Sequence, residues 1–173
     1  MTDKLFQGQH LVLRRRHGWE FVSRLHRTEA AVIVALVDDQ RLLLVEQYRP
    51  PVEATAIELP AGLVGDLTGS HDEAAAAAAR RELEEETGYR AADVRQFFAG
   101  PSTAGLADEV AVFFLARGLE RVGPGGGDAS EDIRCHQVPV AEVHAFLQAQ
   151  QARGRVVDPK VYTALCWITQ GYL

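Results

Sequence analysis

Cysteine is scarce: the 173 residues contain two, Cys135 and Cys166, and neither stands in a CxxC pair or at a histidine-paired spacing. Isolated thiols of this kind read as buried free cysteines in a reducing compartment, and they argue against a cysteine metal site or nucleophile. Long apolar runs are missing too. Nothing approaches the roughly 20 residues that span a bilayer, and the stretch from Met1 to His10 has no apolar signal core, so a cytoplasmic protein with no membrane partner is expected. Positive charge is in deficit. With 18 Lys and Arg against 24 Asp and Glu, the formal net charge is −6, which argues against a general nucleic-acid binder, because affinity for a phosphate backbone needs clustered cations. What is present is 47% hydrophobic content, in a chain long enough to bury a core without disulfides or a structural metal. A single domain over 1–173 is expected, with residues 1–28 forming an N-terminal strand extension to a core at 29–173.

The pattern alternates strands and helices. Gln9 to Arg15 and Trp19 to Arg27 flank a His17-Gly18 turn, and Ala30 to Val37 with Leu42 to Gln47 reads as a hairpin closed by Asp38-Asp39-Gln40. Pro50-Pro51 interrupts the chain before a short strand at Ala56 to Leu59, which feeds a Pro60-Ala61-Gly62 turn. Further strands are predicted at Val94 to Phe98, Val110 to Ala116 and Ile133 to Val138, with a loop from Gly100 to Asp108 between the first two. Gly123-Pro-Gly-Gly-Gly127 is the stretch richest in glycine and is predicted to be a mobile loop. Val140 to Ala152 and Lys160 to Gln170 are amphipathic helix candidates. This order predicts an α/β layered fold with a mixed sheet between helices.

The helix expected from Asp72 to Thr87 carries the chemistry. Ala74 to Ala79 favour helix and permit close approach to a sheet, and Gly88 supplies a C′ residue. At about 100° per residue, Glu82, Glu85 and Glu86 share one face, a self-repelling arrangement that suits a hard divalent cation. A solvated acidic face is the competing reading. Arg81, four residues before Glu85, is placed to hold that carboxylate. At the helix start, Ser70-x-x-Glu73 has the pattern of a capping box.

Arg81-Glu82-Leu83-x-Glu85-Glu86-x-Gly88-Tyr89 resembles the second half of the Nudix box, Arg-Glu-apolar-x-Glu-Glu-x-Gly-apolar. The first half departs from the pattern. Glu73 stands at the family's distance from Arg81, but Leu67 occupies the glycine position, and the natural partner is Gly62, which leaves about five extra residues in the loop. Glu73 therefore has two readings, family residue or cap. The resemblance implies a Nudix-type α/β/α sandwich with an N-terminal antiparallel strand extension. Trp19-Glu20-x-Val22-x-Arg24, Gln47-Tyr48-Arg49-Pro50-Pro51, Glu58-Leu59-Pro60-Ala61-Gly62-Leu63 and Val157-Asp158-x-x-Val161-Tyr162 occur in the order of the ADP-sugar pyrophosphatase branch.

That branch implies hydrolysis of the pyrophosphate bond of a nucleoside diphosphate sugar, with ADP-ribose giving AMP and ribose 5-phosphate. It implies Mg²⁺, with Mn²⁺ as a substitute, held by Glu82, Glu86 and the Ala61 carbonyl, with Glu85 as ligand or base-like neighbour and Arg81 beside them. Glu131, after the glycine-rich segment, matches the branch's loop glutamate that helps activate water, with Asp128 and Asp132 as competitors. Trp19 matches an adenine-stacking tryptophan, Glu20 is placed to accept from the adenine amino group, and Arg24 and Arg49 to grip phosphates. Gly105 and Glu109 are assigned to the terminal-sugar pocket. Ala104 stands where ADP-ribose hydrolases often carry proline, which keeps GDP-mannose and other diphosphate derivatives open. A homodimer with exchanged N-terminal strands is implied. A MutT-like triphosphate pyrophosphatase, a non-catalytic nucleotide sensor and a structural interaction protein are the rivals.

Overall fold

The computed structural model describes residues 1–25, 29–65, 74–128 and 131–173. The chain opens with a three-stranded antiparallel sheet, β1 (Thr2–Gln7), β2 (Leu11–Arg16) and β3 (Trp19–Arg24), in that spatial order. The β2–β3 turn is the expected one: His17 and Gly18 both take positive φ, 51° and 81°, the conformation that matches the twist of a tight hairpin. β1 goes beyond the sequence reading. Its side chains are nearly all exposed, so no apolar alternation marks it.

The main sheet begins with β4 (Glu29–Val37) and β5 (Arg41–Arg49). Asp38 and Asp39 turn the chain at φ 52° and 54°, and the Gln40 N–H closes the turn on the Val37 carbonyl at 3.1 Å. β4 and β5 pair only at Leu36↔Leu42 and Val37↔Arg41. β5 then runs on between β6 (Ala54–Glu58) and β10 (Arg134–Pro139), while β4 runs parallel to β9 (Val110–Arg121) from Glu29 to Ala35. The edge of β4 that β5 leaves free is taken by β7 (Ala61–Leu63), antiparallel to Ala30–Val32. The segment read as a Pro-Ala-Gly turn is thus partly strand, because β4 offers it unpaired backbone groups. The outer edge is β8 (Tyr89–Pro101), paired with β9 along 13 residues and bulged between Gln96 and Phe98. At the opposite edge, β11 (Val156–Val157) runs parallel to β6.

Helices cover both faces, which gives the expected α/β/α sandwich with a mixed sheet. Alternation along β4 sorts its side chains. Ala31, Ile33 and Ala35 lie under α1 (Ala75–Thr87) against Ala78, Ala79 and Leu83. Val32, Val34 and Leu36 meet Val143 and Leu147 of α2 (Val143–Ala152) and Val161, Ala164 and Leu165 of α3 (Pro159–Thr169). α1 is described from Ala75, and Ala74 precedes it without a side-chain cap; the Ser70–Glu73 capping pattern, the start at Asp72 and the Leu67 position lie outside the described residues. α3 is capped by Asp158, whose carboxylate accepts from the Lys160 N–H at 2.7 Å.

Among the described residues no helix is long and apolar enough to cross a membrane. The two thiols differ. Burial pushes the Cys135 thiol on β10 up to about 11, with Glu86 adding to the rise and Arg121 opposing it. Cys166 corrects the expectation of a buried thiol, since it lies on the outward face of α3 and is exposed.

Candidate functional site

A cleft of about 440 Å³ opens where β7 and the end of β6 meet α1, the 102–109 loop, Arg24 of β3 and the segment around Asp128 and Glu131. The acidic face of α1 forms one wall. Glu82 and Glu86 are 8% and 2% exposed, so two of the three carboxylates on this face are folded inward, while Glu85 stays exposed at its edge. β7 is what makes that packing work. A Cβ on Gly62 would lie 1.9 Å from the Glu82 carboxyl carbon, and the adjacent Ala61 N–H donates to Glu86 Oε2 at 3.1 Å. With the Glu82 carboxylate in this position only glycine fits at 62, which puts Gly62 beside the acidic helix. Arg81 Nη1 donates to Glu82 Oε1 at 2.8 Å and to Glu85 Oε2 at 3.1 Å, so the expected i,i+4 pair is formed and shared with a second carboxylate.

The electrostatics favour a cation. Burial pushes the Glu86 carboxyl up to about 9; the Ala61 N–H and Arg49 oppose the rise, and Glu82 and Glu131 add to it. Among the described residues lining the cleft, six carboxylates (Glu58, Glu82, Glu85, Glu109, Asp128, Glu131) face four cationic side chains (Arg24, Arg49, Arg81, Lys160). An anionic substrate entering this cleft meets net negative charge unless a metal comes with it. The donors are all oxygen, the chemistry that Mg²⁺ and Mn²⁺ take. Among the described residues no three acidic, histidine or cysteine side chains close on one point. Magnesium does not require such a cage, because one or two carboxylates, waters and substrate phosphates complete its shell. The residues therefore fit a divalent ion.

The phosphate-gripping candidates are in place and already engaged. Arg24 Nε donates to Glu109 Oε2 at 2.6 Å, and Arg49 donates to Glu58 Oε2 from Nη2 at 2.5 Å and from Nε at 3.0 Å. Glu58 and Lys160 are lining residues that the motif reading did not assign. Lys160 is paired with Asp158, and in both cases the signal was a charged residue at the end of a strand or the first turn of a helix, inside a motif noted for its neighbours. Glu131 reaches the cleft wall, as does Asp128; Asp132 is not among the lining residues. The Glu131 N–H donates to the Asp128 carbonyl at 3.2 Å, and the Asp128 N–H donates to Glu131 Oε2 at 3.3 Å.

The aromatic candidate lies apart. Trp19 is 64% exposed on β3, outside the cleft lining, and Glu20 beside it is exposed. Trp19 Nε1 donates to the Gly105 carbonyl at 3.2 Å, so the fold joins two candidates that are 86 positions apart in sequence. The same junction continues through the Val22 N–H to the Leu106 carbonyl at 2.8 Å and Ser23 Oγ to Asp108 at 2.7 Å. Gly105 and Ala104 sit in the exposed turn that receives β3. Arg24 and Glu109 are thus in the cleft, while Trp19, Glu20 and Gly105 sit beyond its rim.

Comparison with known proteins gives a consistent family signal. The sequence model described as the NUDIX domain matches residues 26–162. The chain is 28% identical to the methanol dehydrogenase activator of Bacillus methanolicus, over 96% of this chain and 89% of that protein. It is 35% identical to the ADP-ribose pyrophosphatase of Mycobacterium tuberculosis, over 91% of this chain and 75% of that protein. Two further curated relatives are spanned only to 46% and 55% of their length. A crystal structure described as an ADP compounds hydrolase superposes with a TM-score of 0.71 at 20% identity, covering 100% of this chain and 91% of that one, and supports the fold.

Proposed function

This chain belongs to the Nudix family, and from that premise we propose that it hydrolyses the pyrophosphate bond of a nucleoside diphosphate sugar, with ADP-ribose yielding AMP and ribose 5-phosphate. The observation that carries this reading is a cleft lined by Glu82 and Glu85 of α1 together with Arg24, Arg49 and Arg81, with the Glu86 carboxylate buried beside it against the Ala61 N–H. A self-repelling set of carboxylates next to forked cations suits a phosphoanhydride that arrives with a divalent counter-ion.

In this reading Glu82, Glu86 and the Ala61 carbonyl hold Mg²⁺ or Mn²⁺, and Glu85 is a ligand or a base-like neighbour. When bound, the ion neutralises phosphate oxygens and lowers the pKa of a coordinated water. Arg24 and Arg49 donate to phosphate oxygens and hold the diphosphate in line, sharing or exchanging their present partners Glu109 and Glu58. Glu131 accepts a proton from the attacking water. The water oxygen forms a bond to one phosphorus, the bridging P–O bond to that phosphorus breaks, and the leaving phosphate oxygen keeps the electron pair. Arg81 keeps Glu82 and Glu85 oriented through the cycle. Glu109 and Gly105 border the terminal sugar.

Trp19 and Glu20 supply the nucleobase platform in this proposal, and their exposure beyond the rim agrees with a platform completed between two chains. We assign 1–173 to one catalytic domain whose N-terminal strands, within residues 1–28, are exchanged in a homodimer. Two unpaired cysteines suit a cytoplasmic enzyme.

The test is product analysis. Purified protein is incubated with Mg²⁺ and, in turn, ADP-ribose, ADP-glucose, GDP-mannose and nucleoside triphosphates. AMP and ribose 5-phosphate, formed with Mg²⁺ and abolished by EDTA, are the expected result; turnover of triphosphates alone, or of nothing, overturns the proposal.

A further inference from the structure

The glycine-rich segment read from sequence as a mobile loop is tied to the end of α1 by main-chain bonds. The Gly126 N–H donates to the Glu86 carbonyl at 2.9 Å and the Gly127 N–H to the Glu85 carbonyl at 3.0 Å. In return the Gly88 carbonyl accepts from the Val122 and Gly123 N–H groups at 2.8 and 3.1 Å. These bonds satisfy carbonyls that a helix C-terminus leaves without partners. The contact is backbone on backbone. A Cβ on Gly125, at φ 69°, would lie 2.5 Å from the Thr87 carbonyl carbon, 2.7 Å from the Gly88 nitrogen and 2.8 Å from the Glu86 oxygen. A Cβ on Gly88, at φ 74°, would lie 2.2 Å from the Gly123 oxygen.

The far end of the segment leads to the loop glutamate. The Ile133 N–H returns to the Gly126 carbonyl at 3.1 Å, and a Cβ on Gly127, at φ 81°, would lie 2.5 Å from Glu131 Oε2. Of the residues whose carbonyls are clasped, Glu85 lines the cleft and Glu86 is buried beside it. Side chain and main chain of one helical turn therefore fix both halves of the site.

We propose that Gly125–Gly127 is a clasp that sets the position of Glu131 relative to the carboxylates of α1, with Gly125 and Gly127 as positioning residues for the hydrolytic step. This rests on the function proposed above, in which Glu131 takes the proton. Gly125 fixes the spacing between loop and helix. Gly127 clears the space that the Glu131 carboxylate occupies.

The experiment is a double-mutant cycle on the Mg²⁺-loaded enzyme, using Gly125→Ala and Gly127→Ala, each alone and combined with Glu131→Gln, and Gly123→Ala as control. Gly123 has no atom within 4 Å of an added Cβ, so its variant carries the same methyl group in the same loop without collision. Expected are a fall in kcat of roughly tenfold to 100-fold for Gly125→Ala and Gly127→Ala, with KM unchanged, and no further loss when either is added to Glu131→Gln. Protection of the Gly126 and Gly127 amides from hydrogen exchange is expected in the wild type and lost in Gly125→Ala. Should Gly125→Ala fail to fold, Gly127→Ala and the wild-type exchange pattern carry the test. Losses that multiply with Glu131→Gln, losses confined to KM, or unprotected wild-type amides overturn the clasp. A wild type inactive on every diphosphate sugar overturns the function itself, which the exchange pattern does not address.

Discussion

Glu86 shows how far one side chain reports on a whole cleft. It is 2% exposed, and burial pushes its carboxyl up to about 9, with Glu82 and Glu131 adding to the rise. Without metal, the folded chain holds a proton there that the unfolded chain, near the ordinary 4.5, has released at neutral pH. The folded pKa is raised, so this contribution to stability is whole below the unfolded value and is lost as pH rises through about 9. The metal-free wild type should therefore lose stability as pH rises between 6 and 8, by on the order of 1 kcal/mol per pH unit at most from this group, a slope absent in Glu86→Gln. Thermal melting in EDTA across that range checks it, and equal slopes in the two proteins would count against the buried acid. With Mg²⁺ present the same residue is expected to act in the reaction. Glu82→Gln and Glu86→Gln should each lower turnover by at least ~100-fold with the fold retained, because each removes charge from the cation site. Full turnover in both variants would remove the metal assignment.

At the level of elements, α1 is the most legible part of the chain. Its alanines, its Glu spacing and Gly88 are all local signals, and its described span ends at Thr87 as expected. β7 is not legible as a strand, because three residues behind a proline acquire strand geometry only from the free edge of β4. β8 exceeds its predicted span for a related reason: it is an edge strand with many exposed positions, so alternation does not mark its ends. β1 and the two-residue β11 escape the sequence pattern on the same grounds. The cleft itself is legible in its Glu82, Glu85, Arg24 and Arg49 walls, since each belongs to a sequence motif. The partners of those residues, Glu58 for Arg49 and the glycine clasp for α1, come from tertiary contact alone. The β7–α1 contact gives an element-scale prediction. Gly62→Ala places a methyl group 1.9 Å from the Glu82 carboxyl carbon, so strand and helix must separate or Glu82 must leave the site. Turnover should fall on the order of 100-fold from that displacement, while far-ultraviolet circular dichroism retains the wild-type spectrum. A Gly62→Ala enzyme with wild-type kcat would show that Glu82 is not held by this contact in solution.

The whole molecule leaves its N-terminal sheet oddly bare. In the single chain, Leu5, Phe6, Leu11 and Trp19 are 39%, 68%, 45% and 64% exposed, and β3 touches the rest of the chain through the 102–109 turn by a few main-chain bonds and the Ser23, Arg24 and Trp19 side chains. Apolar side chains collected on a small sheet are what an interface between copies would cover. In the function proposed above, Trp19 would stand at the edge of that interface and offer its flat ring to the nucleobase from beyond the cleft rim. Two measurements follow from this arrangement. Light scattering should give a dimer at assay concentration. Trp19→Ala should raise KM for ADP-ribose by roughly tenfold with kcat little changed, because stacking on the base is the same in the ground state and the transition state. A monomer with full activity would reduce the sheet to a structural appendage. An unchanged KM in Trp19→Ala would take the tryptophan out of the site and leave Arg24, on the same strand, as the sheet's contribution to substrate binding.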